Sequence, residues 1–189
     1  MRLFAAVYPS AAAVADLTAR VVGLRVGVAS AAGVHVRLAD PAHLHLTLAF
    51  LGEVPDGRLV EVTSALGLAA ESFRDGRGSA PRLRLAGGGS FGQGRSTVLW
   101  VGVRGETDAL DALARLVRHA LRRAGLPHDD KPFRPHLTIA RPGDSVDVRA
   151  DRETLHGYAG PEWPAEELVL VRSHPGAHTH HTRLAAWPL

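Results

Sequence analysis

Two short segments of the sequence repeat one pattern, in which a histidine and a threonine alternate with apolar residues. They are HLTL at residues 45–48 and HLTI at residues 136–139. Since residues i and i+2 of a strand point to the same face, each segment predicts a strand with an imidazole and a hydroxyl on one face and two core-packed side chains on the other. The segments lie 136 − 45 = 91 residues apart, about half of the 189-residue chain. This duplication predicts two structurally related lobes whose polar faces meet in one cleft.

Such a cleft suits phosphodiester hydrolysis, because it would hold two imidazoles and two hydroxyls. The ordinary pKa of histidine is about 6.5, so near neutral pH one imidazole can be neutral while the other is protonated. The neutral imidazole would accept a proton from attacking water, and the charged one would donate a proton to the leaving alkoxide. The hydroxyls of Thr47 and Thr138 would donate hydrogen bonds to phosphate oxygens as negative charge develops. This chemistry needs no metal and no cofactor, and we expect none.

The C-terminal segment contains four further histidines, which raise the question of a metal site: His174, His178, His180 and His181. No H-E-x-x-H motif accompanies them, and strand alternation would place only His178 and His180 on one face. We interpret all four as surface histidines that flank a strand. Residues 180–183 also spell a histidine–x–threonine pattern, but the intervening positions are polar, so this copy lacks the core-facing half.

The elements that would position the two motifs follow the same theme of strands and helices in both halves of the chain. The predicted strands are residues 2–8, 34–38, 43–51, 82–86, 97–103, 136–141, 168–173 and 182–187. Helices are predicted from Ser10 to Gly23, from a cap at Asp56 onward, and from Glu106 or Thr107 to Gly125. Residues 142–164 are polar and irregular, which predicts that this stretch contains a mobile loop. We therefore expect an α+β fold of one bilobal domain over residues 1–189, with pseudo-symmetric lobes whose antiparallel sheets flank a central cleft.

A glycine-rich string, GGGSFGQGR at residues 87–95, is similar to a phosphate-binding loop. It lacks the G-K-S or G-K-T ending of such loops and leads into a strand rather than a helix. We therefore predict a hairpin loop over residues 87–94, with Phe91 packed on the protein rather than stacked on a base.

The composition, with 46% hydrophobic and 22% charged residues, is ordinary for a globular protein. The absence of cysteine excludes disulfides, thiolate catalysis and cysteine-ligated zinc. The longest apolar run, around residues 46–51, is far too short to span a bilayer. Pro9 and Ser10 interrupt the apolar N-terminus, which a strand followed by a helix explains better than a signal peptide does. We therefore expect a cytoplasmic protein that does not bind membranes.

The two motifs and their flanks resemble the two-histidine (2H) phosphoesterases. Within that superfamily the flanks resemble the RNA 2′,3′-cyclic phosphodiesterases, which are also described as 2′-5′ RNA ligase-like. The similar segments run from one end of the chain to the other: RLFAAVYP, HLHLTLAFLGEV, TVLWVGV, KPFRPHLTIAR and ELVLVRS. The resemblance implies the bilobal 2H phosphoesterase fold and a phosphodiester hydrolase.

The resemblance also implies a role for each residue of the motifs. His45 becomes the general acid, or proton donor, toward the leaving 3′ oxygen, and His136 becomes the general base, or proton acceptor, toward water. Thr47 and Thr138 hold the phosphate, and Arg141 adds a cationic contact. The residue pattern alone does not decide which histidine is the acid and which is the base.

One position departs from the family pattern. His43 stands where the family usually has a small polar residue, and in an extended strand it shares a face with the first motif. It is therefore a candidate for lining the cleft, although a rim position is the simpler interpretation.

The sequence predicts metal-independent hydrolysis of RNA 2′,3′-cyclic phosphate ends to 2′-phosphomonoesters. RNA ends or cyclic nucleotides would be the substrates, and no obligate protein partner is implied. Two alternatives stay open. The same acid–base pair would also run reversible 2′-5′ RNA ligation, or the fold would serve as a non-catalytic module that binds RNA ends or nucleotides. A pure binding module needs hydrogen-bond donors but not an acid–base pair.

Overall fold

The computed structural model describes residues 1–174, 176 and 180–189, and the statements below concern these residues. His178 of the C-terminal segment lies outside them. The strands are β1 (Arg2–Val7), β2 (Arg37–Leu38), β3 (Leu46–Glu53), β4 (Arg82–Phe91), β5 (Val98–Gly105), β6 (His136–Arg141), β7 (Ala159–Pro164), β8 (Glu167–His174) and β9 (His180–Pro188). The helices are α1 (Ala11–Val22), α2 (Arg25–Ala31), α3 (Leu59–Arg77), α4 (Thr107–Arg123) and α5 (Arg149–His156).

The strands form two antiparallel sheets, which confirms the expected α+β fold class. The first sheet has the order β3-β1-β8-β9 and the second has the order β2-β6-β5-β4-β7. Each motif therefore belongs to a different sheet, the first on β3 and the second on β6. The apolar halves of both motifs are at most 2% exposed and belong to one hydrophobic core: Leu46, Leu48, Leu137 and Ile139.

The two sheets do not correspond to the two halves of the chain. The first sheet combines strands from both ends of the chain, while the second takes β2 from the N-terminal half. Helices also cross from one sheet to the other. Helix α1 follows β1 of the first sheet but packs against β7 of the second. In the same way α4 follows β5 of the second sheet but packs against α3 and β3. A single bilobal domain over residues 1–189 stays a prediction.

A local side chain marks the start of helix α1. The Ser10 side chain accepts a hydrogen bond from the Ala13 amide at 3.2 Å and so caps α1. The predicted cap of α3 was wrong, because Asp56 lies in a short 3-10 turn before the helix. Its carboxylate lies 3.4 Å from the N-terminal amine of Met1 instead. No helix in the described part of the chain is long and apolar enough to cross a membrane.

Residues 142–164 were predicted only to contain a loop, and the helix α5 and strand β7 within this polar segment were not predicted. The short helix α2 was also not predicted. The helices α2 and α5 depend on each other, because the carboxylate of Asp151 in α5 accepts hydrogen bonds from the first amides of α2. The predicted strand 34–38 is reduced to the two residues of β2, which pair with the end of β6.

The predicted hairpin loop over residues 87–94 was wrong in its first half, because β4 continues through the glycines to Phe91. Close packing explains these glycines. A Cβ atom at Gly88 would collide with Leu155 of α5, and one at Gly89 would collide with the ring of Trp100 on β5. The glycines therefore allow a bulky aromatic side chain and a helix to lie directly against the strand.

Candidate active site

The site lies where the two motif strands meet. Strands β3 and β6 contact each other although they belong to different sheets. His45 directly precedes β3, and His136 is the first residue of β6. Both imidazoles and both motif hydroxyls, those of Thr47 and Thr138, belong to half-buried residues, in contrast to the buried apolar residues between them. The strand alternation thus produces a polar face on each sheet.

The two imidazoles are held in the same way by backbone carbonyls. The Nδ1 atom of His45 lies 2.6 Å from the carbonyl oxygen of His43, and the Nδ1 atom of His136 lies 2.6 Å from the carbonyl oxygen of Arg134. Since a carbonyl oxygen only accepts, each Nδ1 atom carries the proton and donates it. The Nε2 atom of each ring is left for a reacting group, as acceptor when the ring is neutral and as donor when it is charged.

Aromatic side chains support both rings. Phe4 of β1 stacks on His45 with ring centroids 4.7 Å apart and planes 28° apart. Phe91 packs edge-on against His136 at 4.9 Å, and Trp100 lies 6.1 Å from the same imidazole. Phe91 therefore packs on the protein, as predicted, but its partner is a histidine of the candidate site. These contacts restrict how far either imidazole can rotate.

Burial makes the charged form of His45 unfavourable. Burial lowers its pKa most, and the positive charges of His43 and His136 lower it further. The hydrogen bond to the His43 carbonyl opposes this effect, because it favours the protonated ring. The neutral form of His45 is thus favoured more than in an exposed imidazole, and the charge of His136 contributes to this lowering of the pKa.

A third imidazole, that of His181, belongs to this region and was not predicted. Its ring centroid lies 5.1 Å from that of His45, edge-on, and 5.1 Å from that of His43. Its Nδ1 atom is buried and has no hydrogen-bond partner among the described residues. Burial, followed by the charges of His45 and His43, lowers the pKa of His181 to about 4. The interpretation of His181 as a surface histidine was therefore wrong.

The other described tail histidines stay near the surface. The rings of His174 and His180 stack across the β8–β9 hairpin, with centroids 4.2 Å apart and planes 5° apart. Within the described residues, no group of three or more histidine, cysteine, aspartate or glutamate side chains is arranged to hold a metal ion. His43 contributes its carbonyl to the site, while its imidazole lies between His181 and a carboxylate oxygen of Asp40 at 3.7 Å.

A β-bulge directs Arg141 to the motif face. In a regular strand, a residue five positions after His136 would point to the opposite face. The pairing of β6 with β5 skips one residue at Ile139, and both Ile139 and Ala140 are buried in the core. Alternation therefore restarts after the bulge, and the exposed Arg141 returns to the face of His136 and Thr138.

The first motif strand has the same bulge and ends on a different side chain. The pairing of β3 with β1 skips one residue at Leu48, and Leu48 and Ala49 are both buried. Phe50 therefore takes the place that corresponds to Arg141. It is 48% exposed and lies directly across from Phe4, on the face that carries His45. The sequence contains this signal, since the repeat extends to HLTLAF and HLTIAR, but a four-residue motif misses it.

Known proteins are similar to this chain in sequence. A model of the 2′-5′ RNA ligase superfamily matches residues 10–177 of the chain. The RNA 2′,3′-cyclic phosphodiesterase of Escherichia coli strain K12 is 32% identical over 147 residues, which are 78% of this chain and 76% of that protein. The RNA 2′,3′-cyclic phosphodiesterase of Geobacillus stearothermophilus is 36% identical over 149 residues, or 77% of this chain. These matched residues span 45% of the Geobacillus protein.

Solved structures agree with the sequence relatives. The crystal structure of TT0787 of Thermus thermophilus has a TM-score of 0.73 and 32% identity, and the match covers 100% of this chain and 98% of that one. Escherichia coli LigT in complex with 3′-AMP has a TM-score of 0.71 and 28% identity, with 100% and 97% covered. Both matches confirm the fold that the resemblance implied. The chain belongs to the 2′-5′ RNA ligase superfamily.

Proposed function

We propose that this chain is a metal-independent RNA 2′,3′-cyclic phosphodiesterase that produces 2′-phosphomonoesters. One observation carries the proposal: His45 directly precedes β3, His136 begins β6, these two strands contact each other, and a backbone carbonyl holds the Nδ1 proton of each imidazole. Each ring thus keeps its Nε2 atom for proton transfer. The names of the Escherichia coli and Geobacillus relatives support the same activity.

In the proposed reaction, His136 begins neutral and His45 begins protonated. The Nε2 atom of His136 accepts a proton from water as the water oxygen bonds to phosphorus. The bond between phosphorus and the 3′ oxygen breaks, and the Nε2 atom of His45 donates its proton to that oxygen. The phosphate stays on the 2′ oxygen. Thr47 and Thr138 donate hydrogen bonds to the non-bridging oxygens, and Arg141 adds positive charge as the transition state becomes more negative.

Burial favours the neutral form of His45, so the substrate must help to protonate it. A bound phosphate anion raises the pKa of a neighbouring imidazole, because it stabilises the charged form. We therefore expect bell-shaped pH profiles. The alkaline limb reports deprotonation of the acid, and it should lie at higher pH in kcat, which reports the complex, than in kcat/KM, which reports the free enzyme. An alkaline limb at the same pH in both profiles would contradict His45 as the acid.

The direct test uses a nucleoside 2′,3′-cyclic phosphate and the full chain in the presence of a chelator. We expect the 2′-phosphate as the product, separated from the 3′-phosphate by chromatography. His45→Asn and His136→Asn should each reduce kcat by about 100-fold or more, while His119→Asn, at an exposed position of α4, should retain activity. A 3′-phosphate product, loss of activity in chelator, or normal turnover in either site variant would refute the proposal.

The matched superfamily is described by 2′-5′ RNA ligation, which favours this reaction as the second candidate. Ligation is the same displacement with a different nucleophile: a 5′-hydroxyl replaces water and attacks phosphorus, the bond between phosphorus and the 3′ oxygen breaks, and one imidazole accepts the hydroxyl proton while the other donates a proton to the 3′ oxygen. Incubation of RNA fragments that end in a 2′,3′-cyclic phosphate and in a 5′-hydroxyl should reveal a 2′-5′ joined product. A non-catalytic binding role is less well supported, because binding does not require two imidazoles with fixed Nδ1 protons.

A further inference from the structure

A basic pocket adjoins Arg141 at the end of strand β6. It has a volume of about 480 Å³, and the loop that follows β6, residues 142–145, forms one wall. Arg37, Arg95 and Arg141 line it together with His35. All four residues are exposed, so their side chains are available to a ligand.

The strand register places two of these arginines against each other. Arg37 of β2 is directly opposite Arg141 of β6 in the antiparallel pairing. Like charges at directly opposite positions destabilise a sheet, and an anion between them removes the repulsion. Among the pocket residues, Asp144 supplies the one carboxylate, and it lies 3.3 Å from Arg95. Arg37 and Arg141 therefore lack an internal counter-ion within the pocket.

The position of the pocket relates it to the reacting phosphate. The β-bulge at Ile139 places Arg141 on the face of His136, so one side of the pocket borders the candidate active site. The corresponding position of the first motif strand holds Phe50, an apolar side chain, so cationic groups lie on one side of the candidate site. A chain of phosphates that enters the site would be attracted to that side.

We propose that this pocket binds the phosphate on the 5′ side of the terminal nucleoside, so that the substrate is an RNA end rather than a cyclic mononucleotide. The inference rests on the proposed function for the identity of the reacting group. Arginine suits the role, because its planar guanidinium binds two phosphate oxygens at once. Arg37 and Arg95 are then the residues that distinguish a substrate with a 5′ phosphate from one without it.

Binding of two stable product analogues tests the pocket without requiring turnover. The ligands are adenosine 2′-phosphate and adenosine 2′,5′-bisphosphate, titrated calorimetrically into the full chain. We expect the bisphosphate to bind about tenfold more tightly, the lower end for charge-assisted hydrogen bonds at exposed groups. Arg37→Gln and Arg95→Gln should each remove most of this difference and leave binding of the monophosphate unchanged. The matched control, Arg115→Gln on the exposed face of α4, should retain the difference.

A substitution of Asp144 should increase the preference for the bisphosphate, whereas the arginine substitutions decrease it. Asp144→Asn frees Arg95 from its carboxylate partner and should increase the preference for the bisphosphate about twofold to threefold. Equal binding of the two ligands to the wild-type chain would overturn the proposal. It would also fail if Arg37→Gln weakened both ligands alike, or if Arg115→Gln reduced the preference as much, since bulk charge would then be the cause.

Kinetics separate this inference from the proposed function. A nucleoside 2′,3′-cyclic phosphate and its 5′-phosphorylated form are compared by kcat/KM in the same variants. Hydrolysis of both at equal kcat/KM would leave the function standing and refute the pocket. A preference for the bisphosphate in calorimetry without hydrolysis of either substrate would leave the pocket standing and refute the function.

Discussion

Asp151 offers a quantitative test of how the fold is held together. Among the described residues it is the one buried polar or charged side chain, at 1% exposed. Its carboxylate accepts hydrogen bonds from the amides of Arg25 at 2.7 Å and Val26 at 3.1 Å, although both residues are far from it in the sequence. These amides begin α2, whose N-cap residue Leu24 provides no side-chain hydrogen bond. Asp151 therefore does for α2 what the local cap Ser10 does for α1.

The expected cost of Asp151→Ala follows from the two amides that lose their acceptor. A buried donor without a partner costs about 1–3 kcal/mol. The bond to Val26 is buried and the bond to Arg25 is partly buried, so water can replace the second acceptor in part. Taking about 2 kcal/mol for the first and about 1 kcal/mol for the second gives a loss of about 3 kcal/mol in the free energy of unfolding. For a chain of this size that corresponds to a decrease in Tm of about 6–12 °C.

Urea denaturation followed by tryptophan fluorescence measures this loss. The control is Asp147→Ala, because Asp147 also accepts a hydrogen bond near a helix N-terminus, from the Arg149 amide at 3.0 Å, but is 59% exposed. We expect that variant to lose less than about 1 kcal/mol, since water satisfies the freed amide. A loss below about 1 kcal/mol for Asp151→Ala, or equal losses in the two variants, would refute the assignment of Asp151 as the cap of α2.

Two further predictions concern the surroundings of the imidazoles. Because the pKa of His181 is lowered to about 4 in the folded protein, the unfolded chain binds its proton first as the pH falls, so stability should decrease between about pH 6.5 and about pH 4 and not above. The Tm of the His181→Gln variant, measured as a function of pH, should decrease less over that window than the Tm of the wild-type chain. An equal dependence of Tm on pH in both proteins would show that other groups cause the decrease. Gly89→Ala should cost about 1–3 kcal/mol by overpacking and should reduce kcat, because the added methyl group displaces the Trp100 ring beside His136. Gly57→Ala, which meets no atom within 4 Å, is the matched control, and equal effects of the two variants would disprove the packing argument.

Elements with a local sequence signal could be predicted. Strands β3 and β6 follow the alternation of polar and apolar residues, and α4 buries the leucines whose spacing predicted it. Elements that depend on distant residues could not be predicted. Helix α2 has seven residues and takes its cap from α5, so no nearby residue signals its start. The glycines of β4 look like a loop in sequence, because their neighbours Leu155 and Trp100 become neighbours only in the fold.

The candidate site also has features that could be predicted from local sequence and features that could not. Alternation within each motif placed two histidines and two threonines on polar faces, and this arrangement is what the structure contains. The carbonyl groups that hold the Nδ1 protons have no sequence signal, because every residue offers the same carbonyl whatever its side chain. His181 was missed for a different reason. Its neighbours along β9 are polar, and its burial arises from Phe4 and His45 on other parts of the chain.

The shared bulge explains how a repeated backbone can give the candidate site two different sides. Both motif strands skip one residue at the same position of the repeat, so both return their sixth residue to the polar face. The reaction that we propose requires different partners at the two imidazoles, since one faces attacking water and the other a leaving nucleoside. Two identical motif strands would not distinguish these two roles. The difference enters at the residue after the bulge, where Phe50 makes one side apolar and Arg141 makes the other cationic. An exchange of these two residues, Phe50→Arg with Arg141→Phe, should therefore reduce kcat/KM for an RNA end far more than it reduces stability. A retained kcat/KM would show that Phe50 and Arg141 do not distinguish the roles of the two imidazoles.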